Sequence, residues 1–105
     1  MEFLVEFEIT VPDGTTESEV EDREAAEAGA AAKLVEDGHL VRVWKLPAGS
    51  GETPVLGLYR ADSETELDGL LRALPLYEWM RVSVTPLAPH PNDPARSRVS
   101  DGNSA

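Results

Sequence analysis

The chain has 105 residues, 41% of them hydrophobic, and twenty acidic residues against nine basic ones give a formal charge of -11. This length fits one domain, and we expect self-association because so small a domain leaves much apolar surface uncovered. The acidic surface argues against nucleic acid and membrane partners. The sequence has no cysteine, which excludes disulfides and thiolate chemistry. The acidic N-terminus lacks the positive charge of a signal peptide, so we expect a cytoplasmic location.

The first half of the chain predicts a strand followed by a long helix. Residues 2–11 alternate between apolar and polar side chains, which is typical of a strand with one buried face. Thr16 and Glu19 have the spacing of a capping box, which indicates a helix start. The alanine-rich helix is expected to run to about Asp37, where Gly38 provides the C-terminal stop.

The second half predicts a hairpin, a short helix and a last strand. Residues 40–46 and 55–60 have strand composition and are separated by a loop rich in Pro, Gly and Ser. Ser63 begins a second capping box, and the helix that it opens ends before Pro75. Residues 80–87 supply the last strand.

The element order predicts an α+β domain of ferredoxin-like β-α-β-β-α-β order, with two helices on one face of an antiparallel sheet. Residues 1–91 form this domain, and residues 92–105 form a polar tail that is expected to be disordered. Five apolar strand residues cannot all lie on the helix-covered face: Leu4, Val41, Val43, Leu56 and Leu58. A dimer that closes two sheets into a barrel would bury the remainder and leave a ligand cavity between sheet and helices.

Glu27 is the first candidate for chemistry. It shares a helical face with Val20, Ala31 and Leu34, which predicts a carboxylate directed inward. Burial would raise its pKa toward the range that suits a general base. The alternative is that Glu27 lies in solvent at the edge of another buried face, formed by Ala25, Ala28, Ala32 and Val35.

Aromatic and basic side chains are the other candidates for a binding site. Rings with a polar tip line ligand cavities but also occur in cores and interfaces, and the chain has four: Trp44, Tyr59, Tyr77 and Trp79. Three basic residues on the two middle strands could hold an anionic group, or could be ordinary solvated charges: Arg42, Lys45 and Arg60.

Metal and nucleotide sites are not expected. His39 and His90 share no element and have no metal-ligand spacing with a carboxylate. The glycines at 49 and 51 lie between two strands and open no helix, which disfavours a phosphate loop. The order of serine, histidine and aspartate residues does not by itself indicate a catalytic triad.

A family resemblance covers about residues 1 to 91. Its marks are the opening Met1-Glu2-Phe3-Leu4-Val5, Pro12, Glu27, Leu34 with Gly38, Trp44, Leu74-Pro75-Leu76-Tyr77, Met80, Val84-Thr85-Pro86-Leu87 and His90-Pro91. The chain resembles the muconolactone isomerases in these positions, most specifically between residues 74 and 90. The resemblance implies a subunit without a cofactor that dimerises through its sheets and assembles further into a decamer.

The resemblance also implies a reaction that moves a carbon-carbon double bond in a small unsaturated lactone by proton transfer. Glu27 falls at a family glutamate and is the expected base. On this interpretation Trp44 and Tyr59 shape the cavity, and Arg42 or Lys45 orients a substrate carboxylate.

The chain departs from the family pattern where a polar ligand would be recognised. Arg42-Val43-Trp44-Lys45 replaces His-Leu-Trp-Arg, Leu67-Asp68 replaces a Leu-His pair, and the loop at residues 48–54 is longer. Two alternatives therefore stay open. The chain could act as an isomerase or cyclase on a larger biosynthetic intermediate, or it could be a non-catalytic binding module on the same scaffold.

Overall fold

A computed structural model describes residues 1–47 and 54–95. The predicted element order is confirmed, with a 3-10 turn at Tyr77–Trp79 before the last strand. The four strands are β1 (Glu2–Ile9), β2 (Leu40–Lys45), β3 (Val55–Arg60) and β4 (Met80–Leu87), and the two helices are α1 (Glu17–Glu36) and α2 (Glu64–Arg72). The altered loop at residues 48–53 and the predicted tail from residue 96 onward lie outside the described residues.

Both helix starts form as the sequence predicts. Thr16 Oγ1 accepts a hydrogen bond from the Glu19 backbone N–H at 3.1 Å, and Ser63 Oγ accepts one from the Glu66 N–H at 3.0 Å. Gly38 follows the end of α1 with φ of 83°, a left-handed conformation that glycine adopts without strain.

The first strand is shorter than its alternating pattern suggested. β1 ends at Ile9 because its ladder with β4 begins at the Ile9 and Met80 pair. Thr10 then donates its N–H to the Trp79 carbonyl oxygen at 2.8 Å, outside the strand pairing. Val11, predicted as part of the strand, is exposed.

The sheet has the strand order β2-β3-β1-β4 with antiparallel pairing throughout, which is the ferredoxin-like arrangement. Phe3, Val5 and Phe7 are buried on one face of β1. They form a single core with side chains from both helices, namely Leu34, Leu67 and Leu71. Both helices therefore cover the same face of the sheet, as expected.

The opposite sheet face, called the open face below, carries apolar side chains that no helix of the described chain covers. In the strand register Leu4 is paired with Leu58, and Leu56 with Trp44, so these four share that face. Trp44 is 38% exposed. Val43 is paired with Gly57 and lies on the helix-covered face instead, whereas Val41 lies at the irregularity between Leu40 and Arg42 and is 40% exposed.

Within residues 1–47 and 54–95, neither helix is long and apolar enough to cross a membrane.

Candidate active site

A cavity of about 180 Å³ lies between α1 and the helix-covered face of the sheet. Except for Glu27 and Tyr59, the side chains that line it are apolar: Phe7, Ile9, Ala31, Leu40, Val43, Val55 and Met80. Strands β1, β2, β3 and β4 all contribute, so the cavity is built from the whole width of the sheet. The cavity therefore presents one carboxylate and one phenol in otherwise apolar surroundings.

Glu27 is partly buried and points inward from α1, in line with Ala31 and the buried Leu34. The alternative buried face of α1 is wrong, because its four members are exposed: Ala25, Ala28, Ala32 and Val35. Helical spacing explains the result, since Leu34 contributes more apolar area to the core than the small alanines do and sets which side of α1 faces the sheet.

A backbone amide holds the Glu27 carboxylate in place. The Leu76 N–H donates to Glu27 Oε1 at 3.0 Å from the segment between α2 and β4. Desolvation by burial raises the pKa of Glu27 above its ordinary value, and the Leu76 hydrogen bond partly opposes this rise. Raising the pKa of a carboxyl group makes its ionised form a stronger base, which suits proton abstraction from carbon.

Tyr59 faces the same cavity from β3. Tyr59 is only 4% exposed, and its ring packs edge-on against the ring of Phe7, with the two ring centroids 6.1 Å apart. Burial, together with the nearby charge of Glu27, raises the pKa of Tyr59 to about 12. The phenol therefore stays protonated at neutral pH and can donate a hydrogen bond to a ligand oxygen.

Gly57 makes room for the Tyr59 ring. A Cβ at position 57 would lie 2.6 Å from Tyr59 Cε1, far inside the distance of ordinary contact. The ring can thus cross the backbone of its own strand only because residue 57 has no side chain.

The structure does not bring the remaining predicted binding residues to the cavity. Arg42 and Trp44 belong to the open face, where the Arg42 guanidinium lies 5.0 Å from the centroid of the Trp44 ring. Lys45 is exposed and pairs with Val55, a cavity-lining residue, at the end of β2. Their roles in substrate binding stay predictions, and of the three only Lys45 is on the cavity side of the sheet.

A second cavity, of about 370 Å³, lies on the other side of Glu27. Glu27 and Ile9 line both cavities, and the other residues of the second are Val11, Val20, Glu24, Ala28, Leu76 and Trp79. Trp79 is buried and forms part of its wall, which fits the expectation that an amphipathic aromatic residue lines a cavity.

Arg23 also belongs to this region, although the sequence pattern did not indicate it. Its Nη1 donates to the Pro75 carbonyl oxygen at 3.1 Å, and its guanidinium lies 4.6 Å from the centroid of the Trp79 ring. The signal was its spacing, because residues four apart in a helix share a face and Arg23 is four residues before Glu27. The apolar residues that share this helical face indicated an inward direction for Glu27 but did not indicate a role for Arg23.

In the described part of the chain, no three His, Asp or Glu side chains are grouped to hold a metal ion. The ring of His39 is engaged elsewhere, with Nδ1 lying 2.8 Å from the Arg60 carbonyl oxygen.

The fold and the site define a ferredoxin-like domain with a carboxylate set in the wall of a small apolar cavity. The model of the muconolactone delta-isomerase family matches residues 1–93. The chain belongs to the muconolactone delta-isomerase family, as its resemblance predicted.

Relatives in this family match most of the chain. It is 30% identical over 92 residues to Muconolactone Delta-isomerase 1 of Acinetobacter lwoffii, a match that covers 88% of this chain and 93% of that protein. It is also 30% identical to Muconolactone Delta-isomerase of Cupriavidus pinatubonensis, covering 88% and 97%. Family membership therefore supports an isomerase, without fixing its substrate.

Solved structures show the same fold. A crystal structure of muconolactone isomerase matches with a TM-score of 0.75 at 25% identity, covering 88% of this chain and 93% of that one. The 5-chloro-2-hydroxyhydroquinone dehydrochlorinase of Burkholderia phenoliruptrix matches with a TM-score of 0.62 at 18% identity, covering 86% and 96%. The second similarity is one of fold alone.

Proposed function

We propose that the chain is a cofactor-free intramolecular isomerase that shifts a carbon-carbon double bond in a small unsaturated lactone, with Glu27 as the base. The observation that carries this proposal is the partly buried Glu27 carboxylate in the wall of the first cavity. Family membership supports the reaction class. The cavity volume of about 180 Å³ suits a small substrate, since sites for drug-sized ligands span roughly 300–1,000 Å³.

The proposed reaction needs a single proton carrier. Glu27 takes a proton from the ring carbon that bears the lactone oxygen, which the carbonyl acidifies through the conjugated double bond, and the electron pair of that C–H bond delocalises into an extended enolate. The protonated Glu27 then returns the proton to the carbon next to the carbonyl, so that the double bond moves and no electron is gained or lost. Apolar walls favour the transfer because they exclude water from the reacting carbons.

Tyr59 has a role in stabilising the enolate. Its phenol remains neutral at the pH where Glu27 is ionised, and both groups line the first cavity. A hydrogen bond from the phenol to the developing enolate oxygen would lower the barrier, because charge grows on that oxygen only as the proton leaves carbon.

The test is conversion of muconolactone to the enol-lactone by the purified protein and by Glu27→Gln. The amide keeps an oxygen that can accept from the Leu76 N–H but cannot act as a base, so turnover should fall by orders of magnitude while the fold remains. Glu24→Gln is the matched control, since Glu24 lies one turn earlier on α1 and lines only the second cavity. Equal loss in both variants, or full activity in Glu27→Gln, would refute Glu27 as the base.

The second cavity favours a second candidate substrate class. At about 370 Å³ it falls within the size range of sites for larger ligands, and it meets the first cavity at Glu27 and Ile9. An isomerase or cyclase for a larger biosynthetic intermediate would use the same base. Ala28→Phe should fill the second cavity, so it would abolish turnover of a large substrate while leaving conversion of a small lactone unchanged.

A folded wild-type protein that turns over neither class of substrate would favour a non-catalytic binding module. In that case a small enolisable ligand should still bind in the first cavity and perturb the Tyr59 resonances.

Assembly and location are also proposals. Leu4, Trp44, Leu56 and Leu58 form an apolar strip on the open face, and packing against the same strip of a second chain would remove it from water. A sheet-to-sheet dimer, and a decamer built from such dimers, follow the family expectation. A cytoplasmic location stays a prediction from the sequence.

A further inference from the structure

Arg23 and Glu27 lie one helical turn apart on α1 and contact the two ends of one peptide group. Arg23 Nη1 donates to the Pro75 carbonyl oxygen at 3.1 Å, and the Leu76 N–H donates to Glu27 Oε1 at 3.0 Å. That carbonyl and that N–H belong to the same planar amide, the one that joins Pro75 to Leu76. The contacts therefore run without interruption from guanidinium through peptide to carboxylate.

We propose that Arg23 is a positioning residue that acts through the Pro75–Leu76 peptide to hold and strengthen the hydrogen bond accepted by Glu27. Donation from a cation to the carbonyl draws electron density from the amide nitrogen, because the peptide is conjugated. The N–H becomes a stronger donor and stabilises the ionised carboxylate over its protonated form. The proposal rests on the assignment of Glu27 as the base.

The surroundings of Arg23 restrain it in this position. Its guanidinium lies over the Trp79 ring, and Nη1 is 3.7 Å from Glu78 Oε2. The Arg23 side chain is 31% exposed, whereas that of Glu78 is 78% exposed, so the ion pair contributes less restraint than the partly buried contacts. Loss of Arg23 would therefore free both the peptide and the ring that packs behind it.

Arg23 differs from the other charged and titratable groups around Glu27 in its charge and in its hydrogen-bonded connection to that carboxylate. Tyr59 faces Glu27 from β3 across the first cavity and is neutral at the working pH. Glu24 lies one turn from Glu27 on α1 and lines the second cavity with it. Glu78 contacts Arg23 from the 3-10 turn. Arg23 is the cation connected to Glu27 by hydrogen bonds among the described residues, and through the Leu76 N–H it opposes the effect of burial on the Glu27 carboxyl.

The experiment is an NMR titration that needs no turnover. The Glu27 side-chain carboxyl carbon and the Leu76 amide are followed against pH in wild type, Arg23→Met and Arg23→Lys. In Arg23→Met we expect the Glu27 midpoint to move to higher pH and the Leu76 amide proton to move upfield, as its hydrogen bond weakens. Arg23→Lys should give smaller displacements in the same directions, because an ammonium keeps the charge but not the planar fork.

Arg72→Met is the matched control. Arg72 also lies over an aromatic ring of the same segment, 5.6 Å from the Tyr77 centroid, and its hydrogen bond goes to Asp68 on its own helix. Removing it deletes a cation and a ring contact without touching the Pro75–Leu76 peptide. The control should leave both resonances of interest at their wild-type positions.

Two results would overturn the proposal. One is an unchanged Glu27 midpoint in folded Arg23→Met. The other is a shifted midpoint with an unchanged Leu76 amide, which would mean that the charge acts directly through space. Should Arg23→Met fail to fold, Arg23→Lys decides alone, and wild-type values for both resonances in that variant would overturn the proposal.

Kinetics separate this proposal from the proposed function. If the protein is an isomerase, the acidic limb of kcat/KM should move to higher pH in Arg23→Met together with the NMR midpoint. Displaced resonances in a protein without isomerase activity would refute the proposed function and leave the role of Arg23 intact. Unchanged resonances in Arg23→Met of an active isomerase would refute the role of Arg23 and leave the proposed function intact.

Discussion

Replacing Gly57 by alanine would test how the sheet accommodates the Tyr59 ring. The added Cβ would lie 2.6 Å from Tyr59 Cε1 and 3.3 Å from Cδ1. Carbon atoms in good contact are roughly 3.5–4.0 Å apart, so the ring must move by about 1 Å. Tyr59 is 4% exposed and packs against Phe7, which leaves the ring little room to retreat.

The expected change in the free energy of unfolding of Gly57→Ala is the difference between a cost of crowding and a gain from the unfolded chain. Forcing an extra carbon into a packed region typically costs about 1–3 kcal/mol. Replacing a strand glycine by alanine recovers about 0.5–1 kcal/mol, because the unfolded chain loses freedom. We therefore expect Gly57→Ala to lower the free energy of unfolding by about 1 kcal/mol, which corresponds to a fall in Tm of about 4–8 °C for a domain of this size.

Urea unfolding of wild type and variant at one fixed protein concentration measures this change. Gly69→Ala is the control, because a Cβ at position 69 of α2 meets nothing within 4 Å and should stabilise the helix by about 0.5–1 kcal/mol. Combining Gly57→Ala with Tyr59→Leu should remove most of the cost, since Leu has no atom at the position of Cε1. A Gly57→Ala protein as stable as wild type would refute the account of Tyr59 as a confined ring.

Three further predictions concern Glu27, Tyr59 and the open face. Because burial raises the pKa of Glu27, the folded protein binds this proton more tightly than the unfolded chain, and stability falls as pH rises between the two pKa values. Glu27→Gln should therefore be more stable than wild type at pH 7, with an advantage that shrinks on acidification; an advantage that is constant with pH in unfolding titrations would contradict this. Tyr59→Phe should lower kcat/KM by about 10²-fold, as expected for loss of one donor to an enolate oxygen, and an undiminished rate would exclude that role. Leu58→Glu should reduce the mass measured by light scattering to that of a monomer, whereas Val35→Glu, at a position 57% exposed on α1, should not; equal masses for Leu58→Glu and wild type would argue against the sheet-to-sheet dimer.

The sequence predicted the elements well because their signals are local. Thr16 and Ser63 cap their helices through side chains three residues from their donors, and Gly38 ends α1 by its own conformational freedom. The strict alternation of Phe3, Val5 and Phe7 likewise determines which face of β1 is buried. Each of these features depends on residues within one element.

The site was predicted only in part because its geometry depends on contacts between distant elements. The inward direction of Glu27 follows from helical spacing, but its partner Leu76 is 49 residues away and contributes a backbone atom that no residue type reveals. The register of β2 decides that Val43 faces the cavity while Arg42 and Trp44 face away from it. A bulge between Leu40 and Arg42 shifts that register, and composition gives no sign of it.

The partner of Glu27 is a main-chain group, and this affects how the site can change in evolution. Any residue except proline at position 76 supplies the same N–H, so most mutations there alter the shape of the cavity wall and spare the donor. The apolar wall residues, such as Phe7, Val43 and Met80, can likewise be exchanged without touching that hydrogen bond. A lineage built on this scaffold can therefore acquire new substrates while inheriting the proposed base and its hydrogen bond unchanged.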